Sequence, residues 1–475
     1  MRLCFLLMCS LMAFNFNAQS IVDIKNYGAK GDGITDDTKA FYAAIQDNAE
    51  KKNIIDGKNR TYRILTSIDL TISYANLKNF NFILGEDYKD QGRFVLKSPN
   101  VILENIFIDG GRNTYKKGLE NWYTLGKENN IPSIYPQTPD VFYIIGLEET
   151  AKYVITNLKM INIHAGSCIT IVTHGTVNMD NLYFKNISNK TFDIYHSNDE
   201  GKNALGQTTI GYAYAENVGQ LPDYILLDKK KRSTKDGVFM AQSSFNFVVS
   251  YGNFYADKLE VENYGSTAVT PDRNSFFKAK DIIIRNNLNK SYSNNPSGAL
   301  WFEACQKVEV ENVDIDISKR NFNDYRFDNS AIYIYGYNSN IQINNVKINA
   351  NDKTLNKGIK GAFKGKNFVN IDQVDLTGKF RDKSIFFGDL DSSADISLNF
   401  KTLNVNANDV LFYNVKKINI SNFQKNNLND VSFSLTRPDL KKVAQYHIKK
   451  TNLKEVKADK SVLVNLPPNT IKINP

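Results

Sequence analysis

Cysteine, histidine and tryptophan are scarce in this chain, with 4, 4 and 2 copies among 475 residues. Cys4 and Cys9 lie in the first ten residues, which leaves Cys168 and Cys305 for the body of the chain. A pair so far apart is no disulfide framework, and both sit in apolar strand-length runs, so they read as buried small residues. Zinc-module spacings and a concentrated basic arm are missing too, which argues against a nucleic-acid partner although the formal charge is +9. A modest basic excess spread over so long a chain suits an acidic ligand in a cleft. The one long apolar run, Leu3 to Phe14, is too short to span a bilayer. With Arg2 before it and Ala18 after it, it reads as a secretory signal over residues 1–18. The mature chain is then exported, periplasmic or extracellular, with no transmembrane segment.

What the chain has in abundance is pattern. The stretch Tyr27-Gly28-Ala29-Lys30-Gly31-Asp32-Gly33-Ile34-Thr35-Asp36-Asp37-Thr38 follows a short strand and precedes a helix with Ala40, Phe41, Ala44 and Ile45 on one face. Its glycines supply a tight reversal, and Thr35 or Asp36 can cap the helix. The glycine spacing is wrong for a dinucleotide loop, and Asp32 would repel a pyrophosphate. Asp36 and Asp37 therefore read as capping residues rather than a catalytic pair. The stretch resembles the N-terminal segment of the pectate-lyase-like superfamily. That resemblance implies an all-β fold, a single-stranded right-handed parallel β-helix with a capping helix at its N-terminal end, over about residues 21–52.

Short runs rich in Ile, Val, Leu, Phe and Asn recur along most of the chain, the signature of a solenoid and of one long domain over residues 19–475. Five runs open on serine and can be laid in register: Ser167 to His174, Ser243 to Ser250, Ser266 to Arg273, Ser297 to Ala304 and Ser330 to Tyr337. Lys190 to Ser197 fits after the first, with lysine in the serine's place. The starts at 167 and 190, and at 243 and 266, are 23 residues apart, one coil each. Strand alternation then puts Ile169 and Ile171, Phe192 and Ile194, Phe245 and Phe247, Ala268 and Thr270, Ala299 and Trp301, and Ile332 and Ile334 inside. Asn162, Asn186, Asn263, Asn287, Asn312 and Asn345, each before an apolar residue, read as a ladder of stacked amides at a turn. Excursions from Gly110 to Asp140 and from Ser197 to Gln242, the second holding Tyr212, Tyr214 and Lys229 to Arg232, are expected to wall a groove. The tail from about 427 to 475 shows no clear repeat.

The outward face carries the chemistry. His174 and His196 end adjacent runs, about 5 Å apart in rung spacing, and Arg273 lies about 10 Å beyond His196. Tyr195, Asp193, Asn246, Asp272 and Glu303 surround the same patch. On a uronate sugar, His174 or His196 would remove the proton beside the carboxylate, Arg273 would neutralise that carboxylate, and Tyr195 or the second histidine would protonate the leaving oxygen. Phe302, Tyr333 and Tyr335 would offer stacking surface, with Asp193, Asn246, Asp272 and Glu303 binding substrate. The expected activity is that of a carbon–oxygen lyase cleaving uronate-containing acidic polysaccharides or oligosaccharides by β-elimination.

Hydrolysis is the alternative and needs paired carboxylates, for which Asp193, Asp272 and Glu303 are available. The Asn-Thr-Asp, Asp-Asp, Gly-His-Gly and Arg-Ile-Lys motifs of the superfamily's polygalacturonase branch are absent from the coils, as is the Arg-x-Pro-x-x-Arg run of its calcium-dependent pectate lyases. A non-catalytic glycan-binding β-helix is the third reading. No cofactor or metal ligand set is assigned; calcium stays open as a neutraliser in place of Arg273, and oligomeric state is unassigned.

Overall fold

Strand pairing in this chain joins each run to the run one coil later, so the ladders are parallel: Lys152 pairs with Thr176, Thr176 with Gln207, and Gln207 with Asn253. The computed structural model describes residues 19–84, 93–111, 140–163, 165–187, 190–196, 206–218, 245–264, 267–287, 297–319, 329–350, 357–380, 382–407, 409–425, 431–441, 443–460 and 463–473. Among them the strands form two long parallel sheets, one of 18 strands and one of 15, wound as a right-handed parallel β-helix. The leader expected over residues 1–18, His164, the basic run Lys229 to Arg232 and most of both excursions lie outside the described residues. Among the described residues no helix is long and apolar enough to cross a membrane.

The cross-section is set by asparagine. Several strands of the larger sheet are 12 residues long, as in Lys152–Ile163 and Thr176–Ile187, and bend where an asparagine takes a left-handed backbone. Asn157 and Asn181 have φ of 52° and 53°, a region that asparagine tolerates better than other residues with a side chain. Each amide then donates to the one a coil earlier: Asn105 to Asn79 at 3.0 Å, Asn157 to Asn105 at 2.8 Å, Asn181 to Asn157 at 2.7 Å. A second column, Asn162, Asn186 and Asn217, repeats the device at the next corner. The six asparagines expected in one ladder divide between these corners. Asn162, Asn186 and Asn263 share the second, whereas Asn312 and Asn345 lie in register with Asn181 at the first. Asn286, rather than Asn287, holds the left-handed position of its coil.

Inside the coil, like side chains stack at the rung spacing. Phe94 lies on Phe142 and Phe192 on Phe247, each at 4.8 Å between ring centres, and Phe254 lies on Phe277 at 5.0 Å. Cys168 and Cys305 are buried free thiols, as their apolar surroundings imply. At the N-terminal end the helix Thr38–Asn48 presses Phe41 edge-on against Phe80 and Phe82, at 5.2 and 5.1 Å. The acidic residues before it hold the loop together. Asp36 accepts from Thr38 N at 3.0 Å, and buried Asp37 accepts from Lys30 N and Gly31 N. Beyond residue 430 strands of three or four residues, from Val431–Ser434 to Ile471–Ile473, continue both sheets.

Candidate functional site

The 15-stranded sheet turns one face to the core and the other outward. Its inward columns include Phe192, Phe247, Val269, Leu300 and Ile332, neighbours in register, then Ile194, Val249, Pro271, Phe302 and Ile334 two residues on. The outward columns follow from the same register. One carries Thr170, Asp193, Val248 and Thr270, then Trp301, Tyr333 and Lys360; the other carries Val172, Tyr195, Ser250, Asp272, Glu303 and Tyr335.

This register corrects part of the sequence alignment. Phe245 pairs with Thr267 and Gly298 with Ser330, so the serines do not mark equivalent positions in every coil. A slip of one residue exchanges the two faces of a strand. Thr270 and Trp301, expected inside, face outward, while Phe302 faces the core at 1% exposure and meets Phe277 edge-on at 5.8 Å. Phe302 is therefore no sugar platform. Trp301 holds the outward position instead, its ring 5.5 Å from Tyr333. Tyr212 and Tyr214, expected in a groove wall, belong to Gln207–Val218 of the other sheet. The side chain of Asn246 lies outside the described residues.

His196 is the larger correction. It follows the strand Lys190–Tyr195 at the turn, and its ring goes into the corner rather than out to the groove, with 0% exposure. Nε2 shares a 2.7 Å hydrogen bond with the Thr208 hydroxyl. Gly206 and Gly252 make room for the ring, since a Cβ on either would lie 2.0 or 2.8 Å from its atoms. Burial drives its pKa down to about 4, so it is neutral at ordinary pH. His174 is half-buried after the preceding strand. The two imidazoles therefore do not converge over one sugar.

Carboxylates do converge. Asp272 and Glu303 are direct neighbours in register, about 4.8 Å apart in backbone spacing. Arg273, in a left-handed conformation with φ 50°, reaches back over them, Nη1 at 3.2 Å from Asp272 and Nη2 at 3.9 Å from Glu303. Ser250 donates to Asp272 at 3.2 Å. Burial, and after it the charge of Asp272, push the Glu303 carboxyl up to about 7 despite Arg273. Burial also raises Asp272, against the pull of Arg273 and Ser250.

Across the face, Asp193 is 4% exposed; Lys190 pairs with its Oδ2, and Tyr195 donates to the same oxygen at 3.3 Å. Oδ1 of Asp193, Oδ1 of Asp272 and the Thr270 hydroxyl are buried with no hydrogen-bond partner among the described residues. Asp140, raised by burial, adds a further carboxyl facing Asp193 and Lys190. Neither Lys190 nor Asp140 was singled out in the sequence. Lysine in the serine position of one coil was the visible signal for the first; the second lies just before its strand.

The structure thus gathers Asp193, Tyr195, Asp272, Arg273, Glu303, Tyr333 and Tyr335 on one face, sets His174 at its edge, and removes His196 and Phe302. Among the described residues no group of three or more His, Cys, Asp or Glu is placed to hold a metal ion.

Comparison with known proteins adds a local likeness. Polygalacturonase ADPG1 of Arabidopsis thaliana is 35% identical over 103 residues, 19% of this chain and 23% of that protein. The match therefore spans about a quarter of the length of this curated relative. No family model matches the chain, and no solved structure matches it.

Proposed function

We propose that the chain is a secreted polysaccharide-degrading enzyme that hydrolyses glycosidic bonds in a uronate-containing acidic polysaccharide such as pectin. The observation that carries this reading is the Asp272 and Glu303 pair in register on the open face. Two neighbouring carboxyls hold one proton between them more readily than two charges, so one stays protonated near neutral pH. Glu303 is the proton donor to the leaving glycosidic oxygen, since it sits at about 7 beside an anionic partner. Asp272 and the buried, part-unsatisfied Asp193 supply the carboxylate that activates water or meets the oxocarbenium-like centre. Arg273 orients the carboxyl pair itself. The local likeness to a polygalacturonase favours the same chemistry.

The elimination reading loses support on physical grounds. His196 has no exposed surface from which to act as base, and Arg273 already serves two carboxylates in place of a substrate's. A polyuronate digest read by two assays tests the choice. Hydrolysis yields new reducing ends with no ultraviolet-absorbing double bond. Absorbance rising in step with cleavage overturns hydrolysis in favour of elimination, and binding without either signal overturns both.

A further inference from the structure

Two outward columns run past the carboxylates toward the C-terminal coils. One goes from Glu303 through Tyr335 to Ala362 and Gly388, the other from Tyr333 through Lys360 to Phe386 and Leu411. Where the first column shrinks to Ala362 and Gly388, the face hollows into a cavity of about 340 Å³ that Phe386, Leu390 and Leu411 help to line. Residues two apart on a strand are roughly 7 Å apart along the backbone. A Cβ on Gly388 would nevertheless lie 3.0 and 3.2 Å from ring atoms of Phe386. The ring therefore leans along its strand over Gly388 instead of standing off the sheet, and the glycine leaves it room to do so. Leu390, 46% exposed, adds an open apolar side chain at the rim.

The charged groups of the hollow answer one another. Lys357 pairs with Asp382 at 2.9 Å and Lys383 with Asp409 at 3.3 Å, while Asp389 accepts from Asn414 at 3.1 Å and pairs with Arg437 at 3.8 Å. Lys360 Nζ lies 4.8 Å from the centre of the Tyr333 ring. A carboxylate entering here would lose water beside Asp382 and Asp389 and would have to draw a lysine from its present partner. An uncharged sugar can lay its apolar face on Phe386 and turn its hydroxyls to the ion pairs.

We propose that the Phe386 hollow is an outlying subsite for an uncharged unit, such as an esterified uronate, of an otherwise acidic polysaccharide chain. Gly388 is three rungs from Glu303, about 14 Å, the reach of an oligosaccharide rather than of a single sugar. The subsite gives the enzyme a preference for part-esterified chain. This inference rests on the reading of the substrate as an acidic glycan.

The test is binding, by calorimetry, of a long oligogalacturonate in part-methyl-esterified and in fully de-esterified form to the Glu303→Gln protein, which needs no turnover. Phe386 is half-buried, so its replacement spares the core. Phe386→Ala is expected to weaken binding of the esterified oligomer about ten-fold, or about 1.4 kcal/mol, and that of the de-esterified one by less than about two-fold. Phe386→Tyr, which keeps the flat ring, is expected to bind the esterified oligomer within a few-fold of its parent. Equal esterified-oligomer affinity in Phe386→Ala and its parent overturns the subsite. Equal loss for the two oligomers overturns it as a site for an uncharged unit, and equal loss in the Ala and Tyr variants overturns the stacking on which it rests. If the wild-type chain binds but does not cleave, and Phe386→Ala weakens binding of the esterified oligomer alone, the hydrolase reading falls and the subsite stands. Cleavage by the wild-type chain with no effect of Phe386→Ala gives the reverse.

Discussion

Two polar columns run along this β-helix, and they are built to opposite specifications. At the corners of the larger sheet each asparagine amide meets the next, as in the 2.8 and 2.7 Å bonds from Asn105 through Asn157 to Asn181. On the outward face of the smaller sheet two adjacent columns set Asp193 and Thr270 beside Asp272 and Glu303, with like charges as neighbours and buried oxygens lacking partners among the described residues. A satisfied polar ladder holds a shape; an unsatisfied one stores unfavourable free energy that a bound substrate can relieve. The difference separates a stack that is architecture from the one proposed as a site, although both are regular polar repeats in the sequence.

The sharpest way to break the contrast is to neutralise the acidic column. Glu303→Gln is expected to lower polyuronate cleavage about 10² to 10⁴-fold, the scale of a lost general acid, with circular dichroism unchanged. It should also stabilise the fold. The Glu303 carboxyl lies above its ordinary value of 4.5 when folded, so its contribution is lost as pH rises from 4.5 toward about 7. The melting temperature of Glu303→Gln should therefore exceed the parent's by a margin that widens over that window.

His196 tests the opposite sign. Its pKa falls from 6.5 to about 4 on folding, so the stability that it contributes is present above 6.5 and is lost as pH drops toward 4, roughly 3 kcal/mol in all. Urea unfolding of His196→Gln against the parent at the two ends of the window reads this. A catalytic histidine on the surface would show no such slope.

A smaller effect is expected at the corner. Asn181→Ala should cost about 1 to 2 kcal/mol, from one lost amide bond and a left-handed backbone, with cleavage unchanged. Asn181→Gly, which restores the backbone freedom alone, should cost less. The smallest effect belongs to the thiols. Cys305, raised by burial to about 12, should not react with a thiol reagent in the native state.

How much of this was legible in the sequence follows the same physics. The fold class was legible through the resemblance that the Tyr27 to Thr38 stretch carries and through the recurring strand-length runs. Asp193 and Tyr195 were placed outward correctly because their neighbours Phe192 and Ile194 mark the inward parity. Ser297 to Ala304 carries no such mark: Ala299, Leu300, Trp301 and Phe302 are apolar on both faces, so only pairing with the next coil fixes which of Trp301 and Phe302 points out. The serine starts hide a shift of two residues across the insertion before Phe245, of one between Phe245 and Thr267, and of one across the insertion before Asn329. The inward turn of His196 depends on Gly206 and Gly252, which belong to the two following coils, and strand alternation says nothing about a corner.

Titration of the glutamate side chains by carbon-13 nuclear magnetic resonance, in the parent and in Asp272→Asn, addresses the carboxylate pair most directly. One glutamate, absent from the Glu303→Gln spectrum, should titrate near 7, and in Asp272→Asn it should move down while staying above 4.5, because burial is the larger cause of its shift. A Glu303 that titrates near 4.5 in the parent, or is unmoved by the loss of Asp272, would contradict a shared proton at this site.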